Sequence, residues 1–287
     1  RREGRRSADG ARRMARARQP EPAAVVEDRG IRGVFYREAP LRVYPAGTVA
    51  AQVIGLTRYD DGTGIEGLER TFDSELQGES GRLIVERDPS GRVIPQGQVV
   101  LEPATPGSDV ITTIDREIQF VAEQGLRRAI QTTGAVGGSV VVMDPRNGGV
   151  LAMASWPGLD LNDRSQVTAE VLRNRAVADI YEPGSTLKAV TVAAAIEEGV
   201  VTPDTPIDTP ESVTVGEFTY SDIVTTNPWM SVADIVKRSS NVGTIEIQRR
   251  LGNERHYDYL TAFGLGSPSG LDIAGERHGQ LDPTGQW

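Results

Sequence analysis

The sequence predicts an α+β protein in which an antiparallel hairpin packs beside helices. The apolar runs at 138–143 and 149–154 predict two strands, and Asn147-Gly148 between them is a strong hairpin-turn signal. Apolar residues recur at helical spacing over 116–130, which predicts an amphipathic helix. A hairpin combined with helices of this kind favours the α+β class.

The N-terminal part of the chain differs in composition and predicts a separate, mostly β module. It is rich in Gly, Pro and charged residues, and residues 103–107 predict a linker at its end. Its short β-like runs are 49–56, 82–86 and 92–94. We therefore expect two domains, residues 1–105 and residues 106–287, and the chain is long enough for two sizeable cores.

Two further elements are predicted in the second domain. The run at 109–113 predicts a strand that precedes the amphipathic helix. Residues 186–195 are apolar and compatible with a helix. Pro183 and Gly184 break the preceding segment, and Gly199 is a plausible C-terminal stop.

Composition excludes several classes of function. The net charge of −9 argues against a nucleic-acid partner. The basic stretch 1–18 is compatible with a nucleic-acid arm or a targeting peptide, but we interpret it as part of the first domain. The chain has no cysteine, so disulfides and thiolate metal sites are excluded. The two histidines, His256 and His278, have no partner at metal-ligand spacing. We therefore expect neither a metal nor a cofactor.

Lysine is nearly absent, and the position of one lysine indicates the chemistry. Only two of the 31 basic residues are lysines, Lys188 and Lys237. A buried lysine can lose its proton near neutral pH, whereas an arginine cannot. Lys188 follows Ser185 by three residues, so on a helix the amine lies on the same face as the hydroxyl. This Ser-x-x-Lys pair predicts a nucleophile and its base, although a capping serine and a solvated lysine would look the same.

A second motif follows about 50 residues later. Ser239-Ser240-Asn241 fits Ser-x-Asn, in which a hydroxyl and an amide can point into one cleft. The Ser239 hydroxyl could relay a proton, and the Asn241 amide could hold a substrate peptide group. Lys237 is interpreted as a solvated helix cation. A Ser-His-Asp triad with one of the two histidines stays open, because sequence distance does not exclude it.

With both motifs in this order, the chain resembles the class B penicillin-binding proteins, most closely the septal type of cell division (the penicillin-binding protein 3 type). The resemblance runs from about Ile31 to Trp287. In the second domain the matching stretches are 173–175, 181–188, 238–243, 263–266 and 275–277. In the first domain, 44–47 and 64–69 are similar to the pedestal, or dimerisation-type, domain of the family.

The resemblance implies a pedestal followed by the N-terminal part of a transpeptidase domain, an antiparallel sheet between helical layers. It implies a peptidoglycan D,D-transpeptidase in which Ser185 attacks the stem peptide and Lys188 is the base. Ser239 would relay the proton, and Asn241 would align the acyl-enzyme. It also implies trapping of Ser185 by β-lactams, divisome membrane proteins as partners, and an anchor in the bacterial inner membrane with the enzyme in the periplasm.

One departure from the family bears on activity. The Lys-Thr-Gly or Lys-Ser-Gly element of the family is missing, since the residue before Thr284-Gly285 is Pro283 and not a lysine. In addition, no apolar run approaches the roughly 18 residues of a membrane span, although the family has an N-terminal membrane anchor. We interpret the chain as a fragment that is inactive alone. The alternatives are a serine β-lactamase, against which the long pedestal speaks, and a non-catalytic β-lactam sensor or divisome-binding module. The residues alone do not separate a septal from an elongation role.

Overall fold

The computed structural model describes residues 42–89, 93–223 and 228–287. These residues belong to one unit that spans Leu41–Trp287. The basic stretch at 1–18 lies outside the described residues, as does Arg92 of one predicted strand.

The described chain alternates short helices with antiparallel strand pairs. The helices are α1 Ala51–Ile54, α2 Gly67–Thr71, α3 Asp73–Gln77, α4 Arg116–Thr133, α5 Ala169–Leu172, α6 Arg175–Ala178, α7 Lys188–Glu197, α8 Val232–Arg238, α9 Asn241–Leu251 and α10 Asn253–Ala262. The strands are β1 Arg82–Arg87, β2 Val93–Glu102, β3 Gly138–Met143, β4 Val150–Trp156, β5 Pro206–Asp208, β6 Ser212–Val215, β7 Phe218–Ser221 and β8 Trp229–Ser231. The pairs are β1–β2, β3–β4, β5–β8 and β6–β7, all antiparallel. This mixture confirms the predicted α+β class.

The predicted strand at 49–56 is wrong, because its centre is the short helix α1. An apolar run that is buried on all sides has no period that separates strand from helix. Ala50 precedes α1 in the left-handed region, with φ 55°, and its N–H donates to Glu123 Oε1 at 2.8 Å. Gly55 follows α1 where the chain passes so close to Glu66 that a Cβ would lie 1.8 Å from its carbonyl oxygen. The predicted strand at 82–86 is confirmed by β1.

The predicted strand at 109–113 is also wrong. The segment belongs to no strand pair, and the Ile111 side chain is exposed. Its end is held instead by single contacts to β4: Thr113 Oγ1 donates to the Val150 carbonyl at 2.7 Å, and the Asp115 N–H donates to the Leu151 carbonyl at 2.9 Å. One side-chain bond and one backbone bond do not make a ladder, so the segment does not pair with β4 as a strand.

Helix α4 and the β3–β4 hairpin confirm the prediction from periodicity and turn signal. Asp115 caps α4 by accepting from the N–H groups of Glu117 and Ile118, both at 2.9 Å. Gln119 is fully buried and acts as a strand partner for β4, because its amide donates to the Met153 carbonyl at 3.0 Å and accepts the Met153 N–H at 2.7 Å. Helix α4 is therefore joined to the hairpin by hydrogen bonds to the β4 backbone.

A buried apolar cluster holds together the helices that carry the two motifs. Ala195 on α7, Ile235 on α8 and Ile247 on α9 are fully buried in one cluster, and each of the two isoleucine side chains contributes about 1.5–3 kcal/mol. The remaining members are Val192, Val201, Ile207, Met230 and Val232. The cluster packs the second half of α7 against α8 and α9.

The predicted domain boundary between residues 105 and 106 stays a prediction. One core cluster joins residues from both sides of it, including Ala50 and Val53 on one side and Val150, Met153 and Ile273 on the other. In the described part of the chain, no helix combines the length and the hydropathy that a membrane span requires.

Candidate active site

The candidate nucleophile and base lie on consecutive turns at the start of α7. Ser185 belongs to a 3₁₀ turn, Gly184–Leu187, that leads directly into the α-helix at Lys188. Gly184 has φ 60°, which glycine adopts without strain, so the chain enters the turn sharply. Ser185 is exposed, whereas Lys188 is half-buried. The hydroxyl is therefore open to a substrate, and the amine is held in the protein.

The Ser-x-Asn motif spans the junction of α8 and α9. Ser239 ends α8 with φ 56° and ψ 43°, a left-handed conformation that is uncommon outside glycine. Ser240 caps α9, since its Oγ accepts the Gly243 N–H at 2.8 Å. Asn241 is the first residue of α9. The change of direction at Ser239 brings it and Asn241 to the same amine.

A hydrogen-bonded cluster joins all four predicted site residues. Lys188 Nζ donates to the Ser239 carbonyl at 2.6 Å, to Ser239 Oγ at 3.1 Å and to Asn241 Oδ1 at 2.6 Å. Ser239 Oγ in turn donates to Ser185 Oγ at 2.9 Å. The hydrogen bonds of Lys188 thus reach Ser185 through Ser239, not directly as the i, i+3 spacing led us to expect.

Two opposing effects act on the protonation of Lys188. Burial is the larger and lowers the pKa of Lys188, because an ammonium loses hydration in the protein. The carboxylate of Asp222 acts in the opposite direction and raises it. The pKa of Lys188 is lowered overall, so its neutral amine is more accessible than that of a solvated lysine.

Asp222 is a site residue that the sequence did not indicate. It follows β7, and its carboxylate accepts from Ser240 Oγ at 2.6 Å and from the N–H groups of Asn241 and Val242 at 2.6 and 3.2 Å. A carboxylate is favourable at a helix N-terminus, where these N–H groups have no partner within the helix. No motif marks a lone aspartate 19 residues before Asn241, so only its contacts identify it.

Other candidates lie apart from this cluster. His256 Nε2 lies 3.0 Å from Thr191 Oγ1, and among the described residues neither His256 nor His278 forms a hydrogen bond with Ser185, whose Oγ bonds Ser239 Oγ instead. Lys237 is exposed in the last turn of α8, as expected for a solvated cation. Thr284 and Gly285 lie in a 3₁₀ turn. Within 42–89, 93–223 and 228–287 no His, Cys, Asp or Glu group has a metal-binding arrangement.

Family comparisons agree with this geometry. The family described as penicillin binding protein transpeptidase domain matches residues 138–287, more than half of the chain. The chain belongs to the penicillin-binding protein family. The family described as penicillin-binding protein dimerisation domain matches residues 14–112. The predicted resemblance is thereby confirmed.

Several relatives in this family are similar over most of the chain. Penicillin-binding protein PbpB of Mycobacterium tuberculosis is 38% identical over 254 residues, which are 86% of this chain and 36% of the relative. Peptidoglycan D,D-transpeptidase FtsI of Escherichia coli K12 is 33% identical over 279 residues, 96% of this chain and 46% of the relative. The chain thus spans less than half the length of these curated relatives.

Solved structures of penicillin-binding protein 3 from Mycobacterium tuberculosis share the fold. The apo form has a TM-score of 0.74 at 36% identity, over 86% of this chain and 52% of that chain. The same protein has been solved in complex with ampicillin and with aztreonam, each with a TM-score of 0.74 and 36% identity.

Proposed function

We propose that the protein containing this chain is a serine-type peptidoglycan D,D-transpeptidase that crosslinks stem peptides during septal wall synthesis. The observation that carries the proposal is the continuous hydrogen-bonded path from Lys188 through Ser239 to Ser185. A weak nucleophile such as serine needs a base to take its proton, and this path connects Ser185 to one through Ser239.

The three bonds of Lys188 indicate how the base works. All three N–H groups of the ammonium have an acceptor. A neutral amine keeps two N–H groups, which suit the two 2.6 Å bonds to the Ser239 carbonyl and Asn241 Oδ1, because those oxygens only accept. Its lone pair then faces Ser239 Oγ. With the amine neutral, both hydroxyls rotate, so that Ser239 Oγ donates to Lys188 Nζ and Ser185 Oγ donates to Ser239 Oγ, the reverse of the bonds made to the ammonium. The Ser185 proton then passes to Ser239 Oγ while the Ser239 proton passes to Lys188 Nζ.

Acyl transfer follows from that proton path. Ser185 Oγ forms a bond to the carbonyl carbon between the two terminal D-alanines of a stem peptide. The C–N bond then breaks, and the leaving amine takes back the proton from Lys188 through Ser239. An amine of a neighbouring stem peptide attacks the resulting ester and restores the Ser185 hydroxyl. The Asn241 amide gives one N–H to the Ser221 carbonyl at 3.2 Å and keeps the other for a peptide oxygen of the acyl group.

The relatives support three further parts of the proposal. Penicillin-binding protein 3 of Mycobacterium tuberculosis has been solved with ampicillin and aztreonam, and we infer that β-lactams acylate Ser185 in the same reaction. The match of residues 14–112 to the dimerisation domain favours a transpeptidase over a serine β-lactamase. The family further supports divisome membrane proteins as partners, and an anchored protein whose catalytic domain is periplasmic.

A labelling experiment on the full-length protein tests the nucleophile. Ser185→Ala should abolish covalent labelling by a fluorescent penicillin, while the exposed Ser80→Ala should label like the parent. The Ser185 side chain caps no helix, so its loss should leave the unfolding temperature nearly unchanged. Persistent labelling of Ser185→Ala would refute the assignment. Incubation with stem peptides then separates the reaction types, because a transpeptidase gives crosslinked dimers and a hydrolase gives only shortened monomers.

A further inference from the structure

We propose that His256 is a positioning residue for the proposed acyl transfer, because it fixes Thr191 and, through it, the start of α7 where Lys188 stands. The proposal rests on the proposed function. It concerns a contact between α10 and α7 that lies outside the two motifs.

The contact is a chain of two hydrogen bonds. Thr191 lies three residues after Lys188 on α7 and is buried. Thr191 Oγ1 donates to the Leu187 carbonyl at 3.3 Å and lies 3.0 Å from His256 Nε2. A hydroxyl has one proton, so the proton of the second bond must belong to His256 Nε2.

The surroundings of Nδ1 also indicate that the ring proton is on Nε2. His256 Nδ1 is buried and has no hydrogen-bond partner in the part of the chain that the structure describes. A proton on Nδ1 would be a buried donor without an acceptor, whereas a bare lone pair costs less. Burial also lowers the pKa of His256, in keeping with a neutral ring. Trp287 meets the ring edge-to-face, with centroids 5.6 Å apart, and thereby helps to hold its plane.

The bonded carbonyl links this chain to the catalytic turn. Leu187 is the last residue of the 3₁₀ turn that carries Ser185, and the next residue is Lys188. A threonine on a helix divides between two side-chain rotamers. The Nε2–H donor favours the one in which Thr191 bonds the Leu187 carbonyl. The backbone from which Lys188 projects is thereby held at the point where the turn becomes an α-helix.

Acylation kinetics of the full-length protein with a fluorescent penicillin test the proposal. His256→Ala should slow the acylation step about fivefold, the value of one net hydrogen bond, with the dissociation constant of the noncovalent complex unchanged. His256→Gln presents an N–H near the position of Nε2 and should regain most of the rate. His256→Asn is too short and should not. The acylation rate of Thr191→Val should fall as much as that of His256→Ala, and the double variant should be no slower than either single variant.

Two outcomes would overturn the proposal: a folded His256→Ala that acylates at the parental rate, or Gln and Asn variants that are equally slow. Imidazole nitrogen NMR gives a test that is independent of activity, with the His256 signals assigned by their loss in His256→Gln. Protonated Nε2 is expected, and protonated Nδ1 would overturn the assignment. If the His256 variants do not fold, the acylation rate of Thr191→Val and the His256 tautomer in the parent protein test the proposal. Absence of labelling in the parent itself would instead refute the proposed function.

Discussion

Replacing Asp222 should affect both stability and the protonation of the base. In Asp222→Ala, the N–H groups of Asn241 and Val242 and the Ser240 hydroxyl lose their acceptor. A helix cap contributes about 1 kcal/mol, and a hydrogen bond to a charged group about 1.5–3 kcal/mol. Asp222 is only half-buried, so water can replace part of these bonds. We therefore expect the free energy of unfolding to fall by about 2–3 kcal/mol. The unfolding temperature should fall by roughly 4–12 °C.

The same change should slow acylation, because the helix end that Asp222 holds carries Asn241, and Asn241 Oδ1 holds Lys188 Nζ at 2.6 Å. A loss of about 1.4–2.8 kcal/mol of this positioning corresponds to a roughly 10- to 100-fold slower reaction with a fluorescent penicillin. Asp222→Asn retains an acceptor for the helix N–H groups but removes the charge. It should therefore stay within a few-fold of the parent.

The pH profile of Asp222→Asn gives the sharper test. The negative charge raises the pKa of Lys188, so its removal lowers that pKa further. The neutral base then persists to lower pH, and the ascending limb of the acylation rate should move to lower pH. The exposed Asp204→Asn serves as the matched control and should keep the parental profile. A limb that stays in place, or moves to higher pH, would refute the electrostatic role of Asp222.

Two further changes address the base and the fold. Lys188→Arg keeps the charge but not the ability to become neutral, so penicillin acylation should slow by about 100-fold or more, whereas Lys237→Arg should react like the parent; an unimpaired Lys188→Arg would contradict the base role. Gln119→Leu leaves the N–H and carbonyl of Met153 without partners in a buried layer, and denaturant unfolding should show a loss of about 2–4 kcal/mol. A loss below about 1 kcal/mol would contradict the strand-like role of this amide.

Local signals in the sequence sufficed for the elements that are governed by local physics. The spacing of apolar residues identifies α4, and the Asn147-Gly148 turn identifies the hairpin. In both cases the signal lies within one continuous segment of the sequence. The Ser-x-x-Lys and Ser-x-Asn motifs also identify the residues that the fold brings together. Within each motif, spacing along the chain places its residues on successive turns or at one helix junction.

The errors occur where distant contacts decide the structure. Within 49–56, Ala51–Ile54 form a short helix because Glu123 and the approach of Glu66 define both of its ends. Neither contact leaves a pattern in the apolar run itself. Asp222 likewise acquires its role only through hydrogen bonds to a helix end that follows it in the chain. The insertion of Ser239 between Lys188 and Ser185 depends on packing between α7, α8 and α9, which the motifs do not encode.

The left-handed backbone at Ser239 lowers the stability of the folded protein, whereas its hydroxyl is needed for proton transfer. A side chain other than glycine costs about 1–2 kcal/mol in that conformation, and Ser239 adopts it with φ 56°. Glycine at this position would relieve that strain and leave the carbonyl that Lys188 bonds, but it would remove the hydroxyl between the base and the nucleophile. Selection of variants for thermal stability alone should therefore favour Ser239→Gly, which would be more stable but would no longer transfer an acyl group.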